Sequence, residues 1–190
     1  MPNRRDRIAQ AWIELLSRDP EAVSALAVAR AELDAGASLE GLRRLRVIEL
    51  CGALPERARL EELLHRSAQF YNPNKERCTL RLEAGEAAPV GPDTRVALVT
   101  ERGGERLAAA ERWWRGETGE KLSAREGVAW VMSFSNVSSA DACAAELAGL
   151  RDRAHGLLCN PHSQECRLSG AEVPLPWFEV SEAPREDADR

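Results

Sequence analysis

The residues best suited to chemistry in this chain of 190 residues are four potential metal ligands near its C-terminus: His155, Cys159, His162 and Cys166. Zinc binds such side chains in tetrahedral sites. If the chain between His155 and Cys159 is extended, their Cα atoms lie about 13 Å apart at the usual rise of a strand. Two side chains bound to one ion span only about 10 Å, so all four cannot share a metal. Cys159, His162 and Cys166 can bind one ion together with Cys78. We favour the alternative that the cysteines are small packing residues, and we predict no cofactor.

This cluster overlaps the second copy of a short repeated pattern. The pattern is Asn-Pro, four residues, Cys, one residue and Leu, and it begins at Asn72 and again at Asn160, 88 positions later. Proline fixes its own φ and moves the preceding residue out of the α region, so Asn-Pro predicts a turn and Cys-x-Leu the start of a strand. If the two turns lie side by side on one sheet edge, Cys78 and Cys166 are neighbours. Outside the pattern we find no convincing internal repeat.

Two polar loops follow the predicted central strands, where open α/β sheets bind ligands. Arg102, Gly103 and Gly104 come just before a predicted helix, whose N-terminus favours anions, and Ser135 and Asn136 follow the second strand. Neither loop has the G-x-G-x-x-G, G-K-[ST] or G-x-S-x-G spacing of phosphate-binding or nucleophile motifs. They are candidate binding residues for a small ligand or nucleotide, and the alternative is an ordinary turn or helix cap.

A pair of tryptophans, Trp113 and Trp114, lies between Arg112 and Arg115 in a predicted helix. Adjacent side chains on a helix point about 100° apart, so we do not expect one core face to bury both. An exposed aromatic side chain beside arginine is typical of protein interfaces. The candidate binding residues also include polar groups of the first Asn-Pro turn: Tyr71, Asn72 and Lys75.

The patterns that must position these residues predict an α+β fold. The pattern of residues 1–70 predicts a layer of about four helices. The first has one apolar face, formed by Ile8, Trp12, Leu15 and Leu16, and the second begins at Asp19-Pro20. The third is marked by Leu42, Leu45 and Ile48, and the fourth begins at Pro55. Residues 71–180 predict an α/β domain with two helices, at 107–114 and 140–151, and a mixed sheet of four to six strands. Its strands are expected at 78–82, 96–100, 127–134, 157–158 and 166–168. Residues 181–190 predict a flexible acidic tail.

Composition restricts the setting. The formal net charge is −5 with no basic block, which disfavours nucleic acid as a partner. No stretch approaches the roughly 18 apolar residues of a membrane span, and five cysteines without a secretory signal indicate reduced thiols in the cytoplasm. Only two of the 26 basic residues are lysine, which suggests a GC-rich bacterial genome.

The segment 156–163, Gly-Leu-Leu-Cys-Asn-Pro-His-Ser, resembles the G-L-x-x-N-P-x-S segment of the SseB family, the enhanced serine sensitivity proteins. The segment 99–102, Val-Thr-Glu-Arg, is loosely similar to that family's strand-to-helix segment. The resemblance implies an α/β binding domain without catalytic residues. It agrees with the hypothesis that we favour, a non-catalytic adaptor that binds a protein partner in a bacterial multi-gene system. The alternatives are a small-ligand or nucleotide binder that uses the strand-end loops, and a zinc or thiol site at the Asn-Pro turns.

Overall fold

The computed structural model describes residues 6–103, 105–149 and 155–178, which form one antiparallel sheet with helices on one face. The strands are β1 (Arg7–Leu15), β2 (Leu39–Gly52), β3 (Glu76–Arg81), β4 (Thr94–Glu101), β5 (Glu105–Arg106), β6 (Leu122–Phe134) and β7 (Gln164–Ser169). The helices are α1 (Pro20–Glu32), α2 (Arg57–His65), α3 (Ala108–Thr118) and α4 (Ala140–Ala148), with 3₁₀ turns at Asp34–Ser38 and Val137–Ser139. The long strands are ordered β3-β1-β2-β6-β4-β7, and the short β5 pairs with β6.

The predicted N-terminal helical layer is wrong, because β1 and β2 are strands of the main sheet. Leu42, Leu45 and Ile48 have helical spacing, but a strand alternates its side chains between two faces. Leu42 and Ile48 therefore pack under the helices, whereas Leu45 belongs to the core on the opposite face. Apolar residues occupy both faces because both are covered. The helix predicted at Asp19-Pro20 is confirmed, with the Asp19 carboxylate accepting hydrogen bonds at its N-terminus.

In the rest of the chain the strands and helices are largely those that the sequence predicts. The sheet is not mixed, however, since all neighbouring named strands are antiparallel. β6 begins at Leu122, five residues before the predicted strand at 127–134. Residues 157–158 form no strand, and the neighbouring Cys159 makes only an isolated bridge with Gly149. The predicted tail at 181–190 and Gly104 lie outside the described residues.

The fold contains the same β-α-β-α-β unit twice, first as β1-α1-β2-α2-β3 and then as β4-α3-β6-α4-β7. Ile13 pairs with Arg46 in the first unit, and Val99 pairs with Val128 in the second. Equivalent residues are therefore 86 positions apart between β1 and β4, and 82 positions apart between β2 and β6. The third strands, β3 and β7, keep the 88-residue offset of the Asn-Pro pattern. Arg46 pairs directly with its own equivalent, Val128. A pseudo-two-fold axis therefore passes between β2 and β6.

The helices exchange partners across this axis. α2 and α3 pack together over β1, through residues that include Leu60, Leu64 and Trp114. α1 and α4 pack over β4, through residues that include Ala29 and Leu147. The first helix of each unit thus covers the sheet beside the second helix of the other unit. This arrangement places α3, which belongs to the second unit, next to the Asn-Pro turn of the first.

The opposite sheet face is covered by the C-terminal segment 173–178, which packs on Trp12, Leu45 and Val131. Trp177 stacks on Trp12 with ring centroids 6.0 Å apart. Its backbone N–H donates to the carboxylate of buried Glu49 over 2.8 Å, and the guanidinium of buried Arg81 donates to the Val173 carbonyl over 2.6 Å. A buried polar network therefore attaches the C-terminal segment to the sheet.

Candidate functional site

The two Asn-Pro turns have the same hydrogen bonds. The side-chain oxygens of Asn72 and Asn160 each accept the N–H two residues later over 3.0 Å. The N–H of Asn72 donates to the carboxylate of Glu76 over 2.6 Å, and the N–H of Asn160 donates to the amide oxygen of Gln164 over 2.9 Å. The polar side chains of these turns therefore fix the local backbone that leads into β3 and β7.

The turns do not lie side by side, because β3 and β7 are the two outermost strands of the sheet. Cys78 and Cys166 therefore lie at opposite edges, and Cys166 instead packs against the core that contains Cys159. Burial raises the pKa of Cys78 and of Cys166 to about 12. Since the thiolate is the nucleophile and the metal ligand, both thiols are protonated and unreactive at neutral pH. His162 lies exposed in the second turn, and in residues 6–103, 105–149 and 155–178 no three His, Cys, Asp or Glu side chains are placed to hold a metal.

The two strand-end loops lie at opposite ends of the sheet, because β4 and β6 are antiparallel. Arg102 bonds to the second Asn-Pro turn: its guanidinium donates to the Pro161 carbonyl over 2.7 Å, and its backbone N–H donates to the Ser163 carbonyl over 2.8 Å. Asn136 accepts from the N–H of Ser138 over 3.0 Å, which caps the 3₁₀ turn before α4. The structure thus does not bring the two loops together. Gly103, which follows Arg102, has a positive φ of 88°.

The structure separates the roles of the two tryptophans. Trp114 is 1% exposed and belongs to the core under α2 and α3, whereas Trp113 is half-buried at the edge of that core. Both rings contact Phe70 edge-on, with centroids 5.9 Å apart for Trp113 and 6.4 Å apart for Trp114. One core cluster therefore contacts both indoles but buries only Trp114, in line with the expectation that one core face does not bury both. Trp114 is a core residue, so only Trp113 can contact a partner.

Trp113 and the first Asn-Pro turn meet on one surface. Tyr71 follows Phe70 in the chain and packs against the same core as Trp113. Its hydroxyl lies 3.1 Å from Nδ1 of His65, at the end of α2. The sequence placed Trp113 and Tyr71 in separate motifs, and the exchange of helices between the two units brings them together. Asn72 and Lys75 belong to the turn itself, where the Lys75 N–H donates to the Asn72 carbonyl over 2.9 Å.

Two exposed arginines and an exposed glycine lie on the same helix as Trp113, on the side that faces away from the core. Arg112 and Arg115 make no ion pair within the part of the chain that the structure describes, although many other arginines are paired. Gly116 is three positions after Trp113, so its side chain would lie beside the indole. A Cβ atom at Gly116 would meet nothing within 4 Å. We call Arg112, Trp113, Arg115 and Gly116 the α3 surface.

A second feature is a cleft of about 380 Å³ next to the pseudo-two-fold axis, which the sequence did not predict. Arg46 at its base bonds to Glu126 over 2.5 Å and to Glu76 over 3.2 Å. Arg44 lies over the Trp130 ring, 5.9 Å from its centroid. Arg44 and Arg46 are two positions apart, so a strand places both on one face. The sequence pattern predicted a helix here and therefore did not group them.

Searches against protein-family models, curated proteins and solved structures found no match. The resemblance to the SseB family therefore remains a prediction. None of the helices in the described ranges has the length and apolar character needed to cross a membrane.

Proposed function

We propose that this protein is a non-catalytic interaction module that binds an acidic segment of a partner protein on the α3 surface. The observation that carries the proposal is the exposed pair Arg112 and Arg115, without ion-pair partners among the described residues, next to a half-buried tryptophan. Tryptophan and arginine are enriched at the energetic centres of interfaces. In this proposal an apolar partner side chain packs on Trp113, above Gly116, and carboxylates of the partner pair with the arginines.

The assigned roles of the other candidate groups support an adaptor over an enzyme. Raised pKa values keep Cys78 and Cys166 protonated, and Asn72, Asn136 and Asn160 hydrogen-bond to turn backbone. We place this adaptor in the cytoplasm of a bacterium, within a multi-gene system that supplies its partner. Composition supports that setting.

The test is a quantitative pull-down from the native host with the wild-type chain and three variants. Trp113→Ser removes the proposed anchor, and Gly116→Glu covers it and places a carboxylate within reach of Arg112 at the i,i+4 spacing. Val137→Ser is the matched control, because Val137 is an apolar residue, 48% exposed, on the loop before α4. We expect a partner that both α3 variants lose, that the control retains, and that dissociates as salt screens the charges. Retention of every partner by both α3 variants would exclude the α3 surface.

The central cleft favours a second candidate function, binding of a small ligand. Its volume of about 380 Å³ is within the usual range of ligand sites. The Nε atom of Arg44 is buried and lacks a well-directed hydrogen bond, although it lies 3.0 Å from a Glu21 oxygen. A carboxylate ligand in the cleft could pair with the exposed part of the Arg44 guanidinium above the Trp130 ring. Thermal-shift screening with small carboxylates tests the idea, since ligand binding raises the unfolding temperature; an equal shift in Arg44→Met would count against this cleft.

A further inference from the structure

The two outer edges of the duplicated sheet differ in how their backbone groups are satisfied. At β3, Arg57 donates to the Leu80 carbonyl over 3.2 Å, and the Leu82 N–H donates to Glu86 over 2.8 Å. Arg57 and Glu86 also pair with each other over 2.5 Å. Side chains thus cover one carbonyl and one N–H among the outward backbone groups of the first edge, near its C-terminal end, and this limits further strand pairing there.

The equivalent edge at β7 is open. The Arg102 N–H donates to the Ser163 carbonyl, in the register that continues the pairing of β4 with β7. Because antiparallel strands alternate in the direction of their hydrogen bonds, the backbone groups of Cys166 and Leu168 point away from β4. Within the described ranges no hydrogen bond reaches these outward groups. Leu168, on the same edge, is 45% exposed.

The side chains of β7 are complementary to a second copy of the same strand. A two-fold axis perpendicular to the sheet pairs β7 with its copy in antiparallel orientation. Three registers place the middle of one β7 strand opposite the middle of its copy. Centring on Glu165 places like acids opposite each other, and centring on Arg167 places like bases opposite each other. Centring on Cys166 places Glu165 of each chain opposite Arg167 of the other, and opposite charges across a strand pair are favourable.

We propose that β7 is a self-association edge, through which two copies of this chain join their sheets antiparallel in the register centred on Cys166. Backbone hydrogen bonds at Cys166 and Leu168 hold the two strands together, as in strand addition generally. Two symmetric ion pairs between Glu165 and Arg167 select the register. Arg167 also donates to the Trp177 carbonyl over 3.0 Å, which holds its side chain on the face where the partner carboxylate lies. This edge is separate from the α3 surface, so the proposal does not depend on the proposed function.

Sedimentation velocity of the full chain over about a hundredfold range of concentration tests the proposal. We expect a concentration-dependent dimer. Glu165→Arg and Arg167→Glu each place like charges across the interface and should raise the dimer dissociation constant by at least about tenfold. The double variant Glu165→Arg/Arg167→Glu restores opposite charges and should recover the dimer. Arg77→Glu is the matched control, because Arg77 is the equivalent of Glu165 on β3 at the opposite sheet edge, and it should leave dimerisation unchanged.

Three outcomes would overturn the proposal. A wild-type chain that stays monomeric throughout assigns the open edge to another occupant, such as a strand from a different protein. A dimer that both single reversals leave intact places self-association elsewhere. Failure of the double variant to recover the dimer, while its circular dichroism and unfolding midpoint match those of the wild-type chain, excludes the proposed register.

Discussion

Gly116 offers a substitution that should stabilise the chain without disturbing the fold. It lies inside α3, is exposed, and leaves open space where a Cβ atom would be. Glycine in a helix interior is less favourable than alanine by about 0.8–1.0 kcal/mol. Gly116→Ala should therefore raise the free energy of unfolding by nearly that amount. For a chain of 190 residues this corresponds to an increase of about 2–4 °C in the melting temperature.

The matched control is the same substitution at Gly36, where the opposite sign is expected. A Cβ atom there would lie 1.9 Å from the Ala29 carbonyl oxygen, at the contact between α1 and the following 3₁₀ turn. The backbone must move to accept it, and we expect a loss of about 3 kcal/mol or more.

Urea unfolding followed by far-UV circular dichroism measures both changes, with the slope m checked for constancy. If Gly116→Ala leaves stability unchanged or lowers it, Gly116 is not in a regular open helix and the described α3 surface is wrong. If it stabilises the chain, Gly116→Glu can then be used as a blocking variant, because a side chain at this position does not disturb the fold.

Three further predictions concern the core, the pH dependence and the duplicated turns. Trp114→Ala should lower the free energy of unfolding by about 3–5 kcal/mol. Trp114→Phe should lower it much less, because this variant keeps a large ring and removes an indole N–H that is buried without a hydrogen-bond partner. Urea unfolding of both variants measures the difference, and equal losses would contradict the prediction. Burial raises the pKa of Glu49 above 4.5, so its stabilising contribution is complete below that pH and is lost as the pH rises through the folded-state value. Glu49→Gln should therefore gain stability relative to the wild-type chain as the pH rises above 4.5, and parallel pH profiles would contradict this. Asn72→Ala and Asn160→Ala each remove one side-chain hydrogen bond of a turn and should each cost about 1 kcal/mol. The two losses should add in the double variant, since the turns lie at opposite sheet edges, and a strongly non-additive result would contradict the described separation.

Part of the fold could be predicted from the sequence because the signals were local. Asp19 and Pro20 specify a helix start by capping and by a fixed φ. Val128 to Phe134 predicts a strand because β-branched and aromatic residues follow one another. The repeated Asn-Pro pattern was the single visible trace of the duplicated unit. Its two turns are equivalent in the structure, but one lies at each edge.

The N-terminal strands could not be predicted in the same way. β2 is buried on both faces from Val47 to Leu50, and the adjacent apolar residues Val47 and Ile48 interrupt the alternation with polar residues. Without that alternation, apolar spacing cannot distinguish a buried strand from a helix. The α3 surface was predicted only in part, because the contact between Trp113 and Phe70 depends on the exchange of helices between the two units. The open edge of β7 was not predicted, since it follows from strand order alone.

The most direct test of the proposed function is site-specific photocrosslinking in the native host. A photoreactive phenylalanine analogue replaces Ala109, which is exposed four residues before Trp113 on α3, in one version of the chain and Val137 in another. The proposal predicts a covalent adduct with a partner protein from position 109, its loss when Gly116→Glu is added, and no such adduct from position 137. The absence of adducts from position 109, or adducts that persist with Gly116→Glu in a folded chain, would contradict the proposal that the α3 surface binds a partner.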